Sequence, residues 1–195
     1  YRVGAGRNEI EARRPEILEV KGQRIAYLSY HADPAVAAIA GKAGSNATTN
    51  AAVIEDITAL RSDVDWIVVN YRWTGELGTT PEPTQIDLSQ SAVEAGADLV
   101  VGYHPHQIQG AELYQGRPIV YALGDFIFQE NPLDDRDTAA LRVSLNNYQM
   151  KVEFLPVPIR QAQPRAAEGE QGEAILQQIR QASQPLSEPL HFPTI

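Results

Sequence analysis

Apolar residues are grouped in a way that separates the chain into two halves. Between residues 24 and 103 the apolar runs are continuous. Ile25-Ala26-Tyr27-Leu28, Trp66-Ile67-Val68-Val69 and Leu99-Val100-Val101 do not alternate with polar residues, as expected of parallel strands covered on both faces. Between them lie two helical patterns. Val53, Ile57 and Leu60 share one face of a helix over about 50–61, and Leu88, Ala92 and Ala95 share one face of a second. Thr80-Pro81 reads as the N-cap and first residue of that second helix, and Gly96 as its stop. Glu16 to Val20 is a further strand, joined to Arg24–Tyr30 by the turn Lys21-Gly22-Gln23. The small, polar stretch Ala35 to Asn50 reads as a surface loop with one turn near Val36–Ile39. The order β-α-β-α-β predicts an α/β fold with a helix-covered, largely parallel sheet. In such sheets functional groups gather beyond the carboxyl ends of the strands. That rule selects His31, then Asn70, Arg72 and Glu76, then His104 and His106.

From residue 110 the pattern turns to antiparallel hairpins. Gly110–Tyr114 and Pro118–Leu123 flank Gln115-Gly116-Arg117, and Gly124-Asp125-Phe126-Ile127-Phe128 follows directly. Asn131 to Asp137 reads as a polar loop. Thr138–Leu145 and Gln149–Val157 form an antiparallel pair turning at Asn146-Asn147. A polar linker over 160–172, a helix from Glu173 to Ala182 built on Ile175, Leu176 and Ile179, and an irregular tail from Gln184 complete the chain. The expected organisation is one main domain over 1–158, followed over 159–195 by linker, helix and tail.

Composition narrows the function classes. The 195 residues are 43% hydrophobic with a mean hydropathy of −0.29, enough for a core and without a run long enough to span a membrane. A net charge of −9 with scattered basic residues argues against nucleic acid as a partner. The absence of cysteine excludes disulfides, thiolate catalysis and thiolate metal sites. The opening Tyr1-Arg2-Val3-Gly4 has neither an initiator Met nor the n-region of a signal peptide, and reads as cut from something longer.

The strongest chemical candidate is His104-Pro105-His106. Neutral imidazole is the commonest metal ligand. In an extended segment residues i and i+2 point the same way, so both rings can face one ion. Asp125, in a Gly-Asp-Phe turn, can ligate a metal or orient a histidine ligand; the alternative is an Asx turn. Glu112 can orient a ligand or substrate, or simply face solvent on a hairpin. Arg72 can clamp a phosphate or carboxylate through its planar fork, or make a salt bridge to Glu76. Trp73 reads as a packing residue and His31 as a solvated loop histidine. No Gly-x-Ser-x-Gly elbow occurs. Two histidines fall short of the roughly three protein ligands that a hydrolytic zinc site uses.

The stretch GADLVVGYHPHQIQGAELYQGRPIVYALGDFIF, Gly96 to Phe128, resembles the closing block of the CapA-type capsule and poly-γ-glutamate synthesis family, which is related to calcineurin-like metallophosphoesterases. The shared elements are Gly-Ala-Asp, an apolar strand, Gly-x-His-Pro-His, a Glu, a hairpin and Leu-Gly-(Asn/Asp)-Phe. The resemblance extends over roughly residues 2–158. It implies a metallophosphoesterase-like sandwich lacking its N-terminal part, and a divalent metal of the Mn, Zn, Fe or Mg class held in part by His104 and His106. With the residue chemistry above, Asp125 is expected behind those ligands and Arg72 and Glu112 toward substrate, and the resemblance implies an acidic polymer or phosphoester as substrate. Other capsule-synthesis proteins become expected partners, at the cell envelope or its extracytoplasmic face. Three departures stand out: Arg72-Trp73-Thr74 where the family has His-Trp-Gly, Asp125 where it has Asn, and Tyr103 where histidine is common. The arginine invites a second reading, a non-catalytic component that binds an acidic surface polymer. On either reading, residues 1–195 alone are expected to lack hydrolytic activity.

Overall fold

A computed structural model describes residues 1–47, 49–75, 77–126, 135–146 and 148–192. Glu76, Ile127, Phe128, most of the expected loop Asn131–Asp137 and Asn147 of the expected turn lie outside the described residues. The chain forms two compact units. The first takes residues 1–75, 82–103 and 114–119; the second takes 76–81, 104–113 and 120–195, each as far as described.

In chain order the elements begin with β1 (Ala5–Gly6), α1 (Glu9–Arg13), β2 (Glu16–Val20), β3 (Gln23–His31), β4 (Gly44–Ser45), α2 (Asn50–Leu60), β5 (Trp66–Arg72) and α3 (Pro83–Ala95). They continue with β6 (Leu99–Tyr103), β7 (Ala111–Tyr114), β8 (Arg117–Val120), β9 (Arg136–Asn146), β10 (Gln149–Arg160), β11 (Gln163–Pro164) and α4 (Gly169–Ser183). The main sheet is mixed, in the order β2-β3-β5-β6-β8-β7. Its centre is parallel: β3, β5 and β6 run in register, with His31 beside Arg72 and Arg72 beside Tyr103. β2 is antiparallel to β3 across a two-residue turn in which Lys21 and Gly22 both take positive φ, 52° and 77°. That backbone matches the twist of paired strands.

The run Trp66–Val69 is buried on both faces, whereas in β3 Ala26 and Leu28 are buried and Ile25 and Tyr27 only half-buried. Ile67, Val69 and Val100 have no exposure, and Val53 and Ile57 of α2 are equally buried. One carboxylate ties this core together. Asp98, 3% exposed, accepts from Ile67 N–H at 2.8 Å and Arg61 Nη1 at 2.7 Å, and Arg117 Nη1 lies 3.1 Å from its other oxygen.

Three local expectations change. α3 starts at Pro83 with Glu82 as N-cap, not at Pro81 after Thr80. Glu82 N–H donates to Gln85 Oε1 at 2.9 Å, so the second of the two prolines takes the first helical position. The face that α3 buries is Gln85, Ser89, Ala92 and Val93, with Leu88 and Ala95 only half-buried. The stretch 35–50 is not a free surface loop. A 3₁₀ turn at Pro34–Val36 leads to β4, which pairs with β1, and Ala38 N–H donates to Ser45 O at 2.8 Å.

In the second unit β9 and β10 form a long antiparallel pair from Arg136↔Ile159 to Asn146↔Gln149, so Arg136 belongs to a strand rather than to the expected loop. α4 starts four residues earlier than expected, at Gly169. Its Ile175, Leu176 and Ile179 are buried in one cluster with Ile108, Ala111, Val120, Ala139 and Phe154. Residues past 158 thus contribute to this unit's core. The tail is ordered as well: Leu113 N–H donates to Glu188 O at 2.8 Å, and Leu190 N–H to Ala111 O at 3.0 Å. Phe192 packs on Phe154 with centroids 4.8 Å apart, under the Arg180 guanidinium. No helix among the described residues is long and apolar enough to cross a membrane.

Candidate functional site

Backbone register builds the centre of the second unit. Gln115 and Gly116, at φ 48° and 75°, make the two-residue turn between β7 and β8. The antiparallel register continues beyond those strands. Tyr121 N–H donates to Gly110 O at 3.1 Å, Gln109 N–H to Ala122 O at 3.1 Å, and Ile108 bridges Leu123. Two positions further out, His106 and Asp125 fall opposite each other, and the His106 Nδ1 to Asp125 Oδ1 distance is 2.8 Å. The second carboxylate oxygen accepts from Arg136 Nη1 at 3.0 Å. Asp125 is thus held from two sides, with its side chain 9% exposed while that of His106 is 44% exposed.

Gly124 permits this approach. Its φ is +83°, and a Cβ there would lie 3.3 Å from Thr138 Oγ1 and 3.5 Å from Ile108 N. Thr138, fully buried, donates its hydroxyl to Leu123 O and so ties β9 to the segment after β8 that carries Asp125.

His104 and His106 come together, although not by strand alternation. β6 ends at Tyr103, and His104 takes φ 105°, a conformation that side-chain-bearing residues rarely adopt. The extended backbone expected for the pair is absent. A turn instead leaves the two ring centroids 5.7 Å apart, with planes inclined by 56°. Strained backbone of this kind collects at functional sites and costs about 1–3 kcal/mol per residue. A cleft of about 640 Å³ opens beside His106, with Thr79, Thr80, Arg136, Gln178 and Gln181 among its lining. Its lining is mainly polar side chains, which suits a hydrophilic ligand.

The first unit has a separate polar pair. His31 and Arg72 are register neighbours at the carboxyl ends of β3 and β5, and Arg72 Nη1 donates to His31 Nε2. His31 is half-buried rather than solvated. Burial, and then the Arg72 charge, hold its proton affinity below the ordinary histidine value. Trp73 is 3% exposed and stacks on Tyr71 at 4.8 Å.

Glu112 is 1% exposed and accepts from Tyr121 OH at 2.6 Å, so it is buried rather than solvent-facing. Residues that pattern reading did not single out are Arg136, which locks Asp125, and Ser45, which touches His31 Nδ1 at 3.3 Å. No local pattern marks either one, since both act across strands.

The donor set partly suits a metal. Asp125 accepts at Nδ1 of His106, so in the neutral ring the lone pair lies on Nε2; this carboxylate–histidine arrangement is the usual support for a metal-ligating imidazole. Yet no group of three His, Asp or Glu side chains able to hold an ion occurs among the described residues. The described residues therefore do not make a complete centre by themselves.

Residues 1–130 match the family described as bacterial capsule synthesis protein PGA_cap. The capsule biosynthesis protein CapA of Bacillus anthracis is 31% identical over 170 residues, covering 84% of this chain and 41% of that protein. The PGA biosynthesis protein CapA of Bacillus subtilis (strain 168) is 34% identical over 109 residues, 55% of this chain and 29% of that protein. A probable polyglutamine synthesis accessory protein of Mycobacterium tuberculosis is 28% identical over 75 residues, 38% of this chain and 20% of that protein. The chain thus spans less than half the length of these relatives. The match over two-thirds of its residues shows that the chain belongs to the bacterial capsule synthesis protein family.

Proposed function

We propose that this chain carries the two-imidazole part of a metallophosphoesterase-type, metal-dependent hydrolytic site in a protein of capsule or poly-γ-glutamate synthesis. The observation that supports this reading is the His106–Asp125–Arg136 relay, which fixes one imidazole tautomer at the mouth of a polar cleft. His104 and His106 would hold a divalent ion of the Mn, Zn, Fe or Mg class. Such an ion, when bound, activates water and polarises the scissile group. Asp125 keeps the hydrogen on Nδ1 and stops the ring from rotating, and Arg136 keeps Asp125 in place. Thr79, Thr80 and Gln181 supply hydroxyl and amide contacts for a phosphoester or acidic-polymer substrate. The reading requires at least one further ligand beyond those described, and takes the mixed sheet and hairpins as part of a metallophosphoesterase-like sandwich working at the cell envelope. Metal analysis of the full-length protein tests it. His104→Ala and His106→Ala should each lower the bound metal; unchanged content in both variants rules the assignment out.

A second reading, a non-catalytic component that binds an acidic surface polymer, draws on a different observation. Among the described residues Arg72 makes no ion pair, and its side chain donates to a neutral imidazole. Arg72→Gln in the full-length protein should then weaken retention on immobilised polyglutamate without altering metal content; equal retention counts against this reading.

A further inference from the structure

The contacts around His31 have one consistent direction. Arg72 Nη1 donates to Nε2, His31 Nδ1 lies 3.3 Å from Ser45 Oγ, and Ser45 donates its hydroxyl to Val36 O at 3.1 Å. A guanidinium only donates. The ring is therefore neutral, with its hydrogen on Nδ1 and its lone pair turned to Arg72. Backbone bonds fix the frame: His31 N–H to Asn46 O at 2.8 Å and Ala32 N–H to Arg72 O at 3.0 Å. The charged groups acting on the imidazole are Arg72 from β5 and Asp33 just after β3; burial and Arg72 disfavour the charged ring, and Asp33 favours it. Asp33 itself accepts from Ala35 N–H at 2.9 Å.

Among the described residues this guanidinium makes no ion pair and stands beside a neutral base, in a chain whose net charge is −9. It sits beyond the carboxyl ends of parallel strands, where such sheets take their ligands. A carboxylate or phosphoryl group presents two oxygens to match the arginine fork. Its negative charge would also favour the protonated ring. We infer that Arg72 and His31 form a proton-coupled oxyanion site. The anion takes the Arg72 fork, and His31 draws one proton from solvent onto Nε2 and becomes a second donor. The inference leans on the binding reading only in treating Arg72 as a ligand contact.

The test uses metal-free protein with inorganic phosphate and glutarate as probes, and reads no turnover. Titration calorimetry in buffers of different ionisation enthalpy should show uptake of up to about one proton per bound anion. Ring nitrogen NMR should show His31 moving from the neutral Nδ1–H form to imidazolium. Arg72→Gln should weaken binding by about tenfold or more. Arg72→Lys, which keeps the charge and loses the fork, should fall between. His31→Asn should still bind, without proton uptake. A response to phosphate alone assigns the site to phosphoryl groups, and to glutarate alone, to carboxylates. The inference is overturned if folded wild-type protein binds neither probe, if Arg72→Gln binds as well as wild type, or if His31→Asn keeps the proton uptake. Because no metal or polymer is present, failure here is distinct from failure of either functional reading.

Discussion

Asp125→Asn is the smallest change that separates an oriented imidazole from a merely adjacent one. Asp125 offers one oxygen to His106 Nδ1 at 2.8 Å and the other to Arg136 Nη1 at 3.0 Å. Both partners donate. An asparagine has one acceptor and one donor group, so it can serve only one of them correctly. The guanidinium can never accept, so the amide oxygen turns to Arg136 and the amide nitrogen faces His106. The imidazole then accepts at Nδ1 and carries its hydrogen on Nε2, which removes the lone pair that a ligand would use. Hydrogen bonds to charged groups contribute about 1.5–3 kcal/mol and neutral ones about 0.5–1.5 kcal/mol. Turning the His106 bond into a neutral one, and leaving the Arg136 bond with charge on one partner only, costs about 2–3 kcal/mol in a closed interior. Here the side chains of His106 and Arg136 are 44% and 30% exposed. Solvent screening brings the expected loss to about 1–2 kcal/mol. For a chain of this length that lowers Tm by about 2–8 °C. Long-range ¹⁵N–¹H correlation of the His106 ring, with a thermal melt of the same sample, measures both effects. A ring that keeps its hydrogen on Nδ1, with an unchanged melt, would refute the reasoning.

Three further perturbations have defined outcomes. Asp98→Ala leaves two arginines and a backbone N–H without their shared acceptor; the loss should be about 3–5 kcal/mol in urea unfolding, and one below about 1 kcal/mol would mean that Arg61 finds equal partners elsewhere. Gly124→Ala forces a side chain into φ +83° against Thr138, and should cost about 1–2 kcal/mol; a neutral or stabilising result contradicts the close approach. His31 contributes a pH dependence of known sign. Its folded proton affinity lies below the ordinary value of about 6.5, so its contribution is complete above that value. Stability then falls on acidification, because the unfolded chain binds the proton first. Relative to His31→Gln, wild-type protein should lose unfolding free energy as pH drops through that range, and a relative gain would reverse the assignment.

The central parallel strand was legible because it is buried on both faces, which leaves an unbroken apolar run in the sequence. Trp66 to Val69 is such a run, and it opens β5 at the strand's first residue. Helix ends were less legible where two signals competed. Pro81 and Pro83 both suit a first turn, and only the Glu82–Gln85 contact decides between them. Residues past 158 looked like an appendage because Ile175, Leu176 and Ile179 name an apolar face without naming what it covers. Glu112 shows the same limit in reverse: a carboxylate on a hairpin reads as solvated until Tyr121 is seen to donate to it. In the candidate site the identity of His104 and His106 was visible, and the reason for their proximity was not. Alternation presumes β backbone, and His104 leaves it. The pairing of His106 with Asp125 was, by contrast, present in the sequence. Once Gln115-Gly116 is taken as a two-residue turn, counting outward along both arms brings those two residues opposite each other.

The strap from Leu186 to Phe192 bears on how this molecule breathes. Its carbonyl at Glu188 and its amide at Leu190 close the hydrogen-bonding row of Leu113 and Ala111, which would otherwise be an open strand edge. The same strand runs back through Gln109 and Ile108 to His106. Loosening of the strap therefore does more than fray an end. It exposes a template on which another extended chain can grow, and it releases the anchor of the histidine arm. The amides of Leu113 and Leu190 should exchange with solvent as one unit, and a protease that trims the strap should leave a protein more prone to self-association.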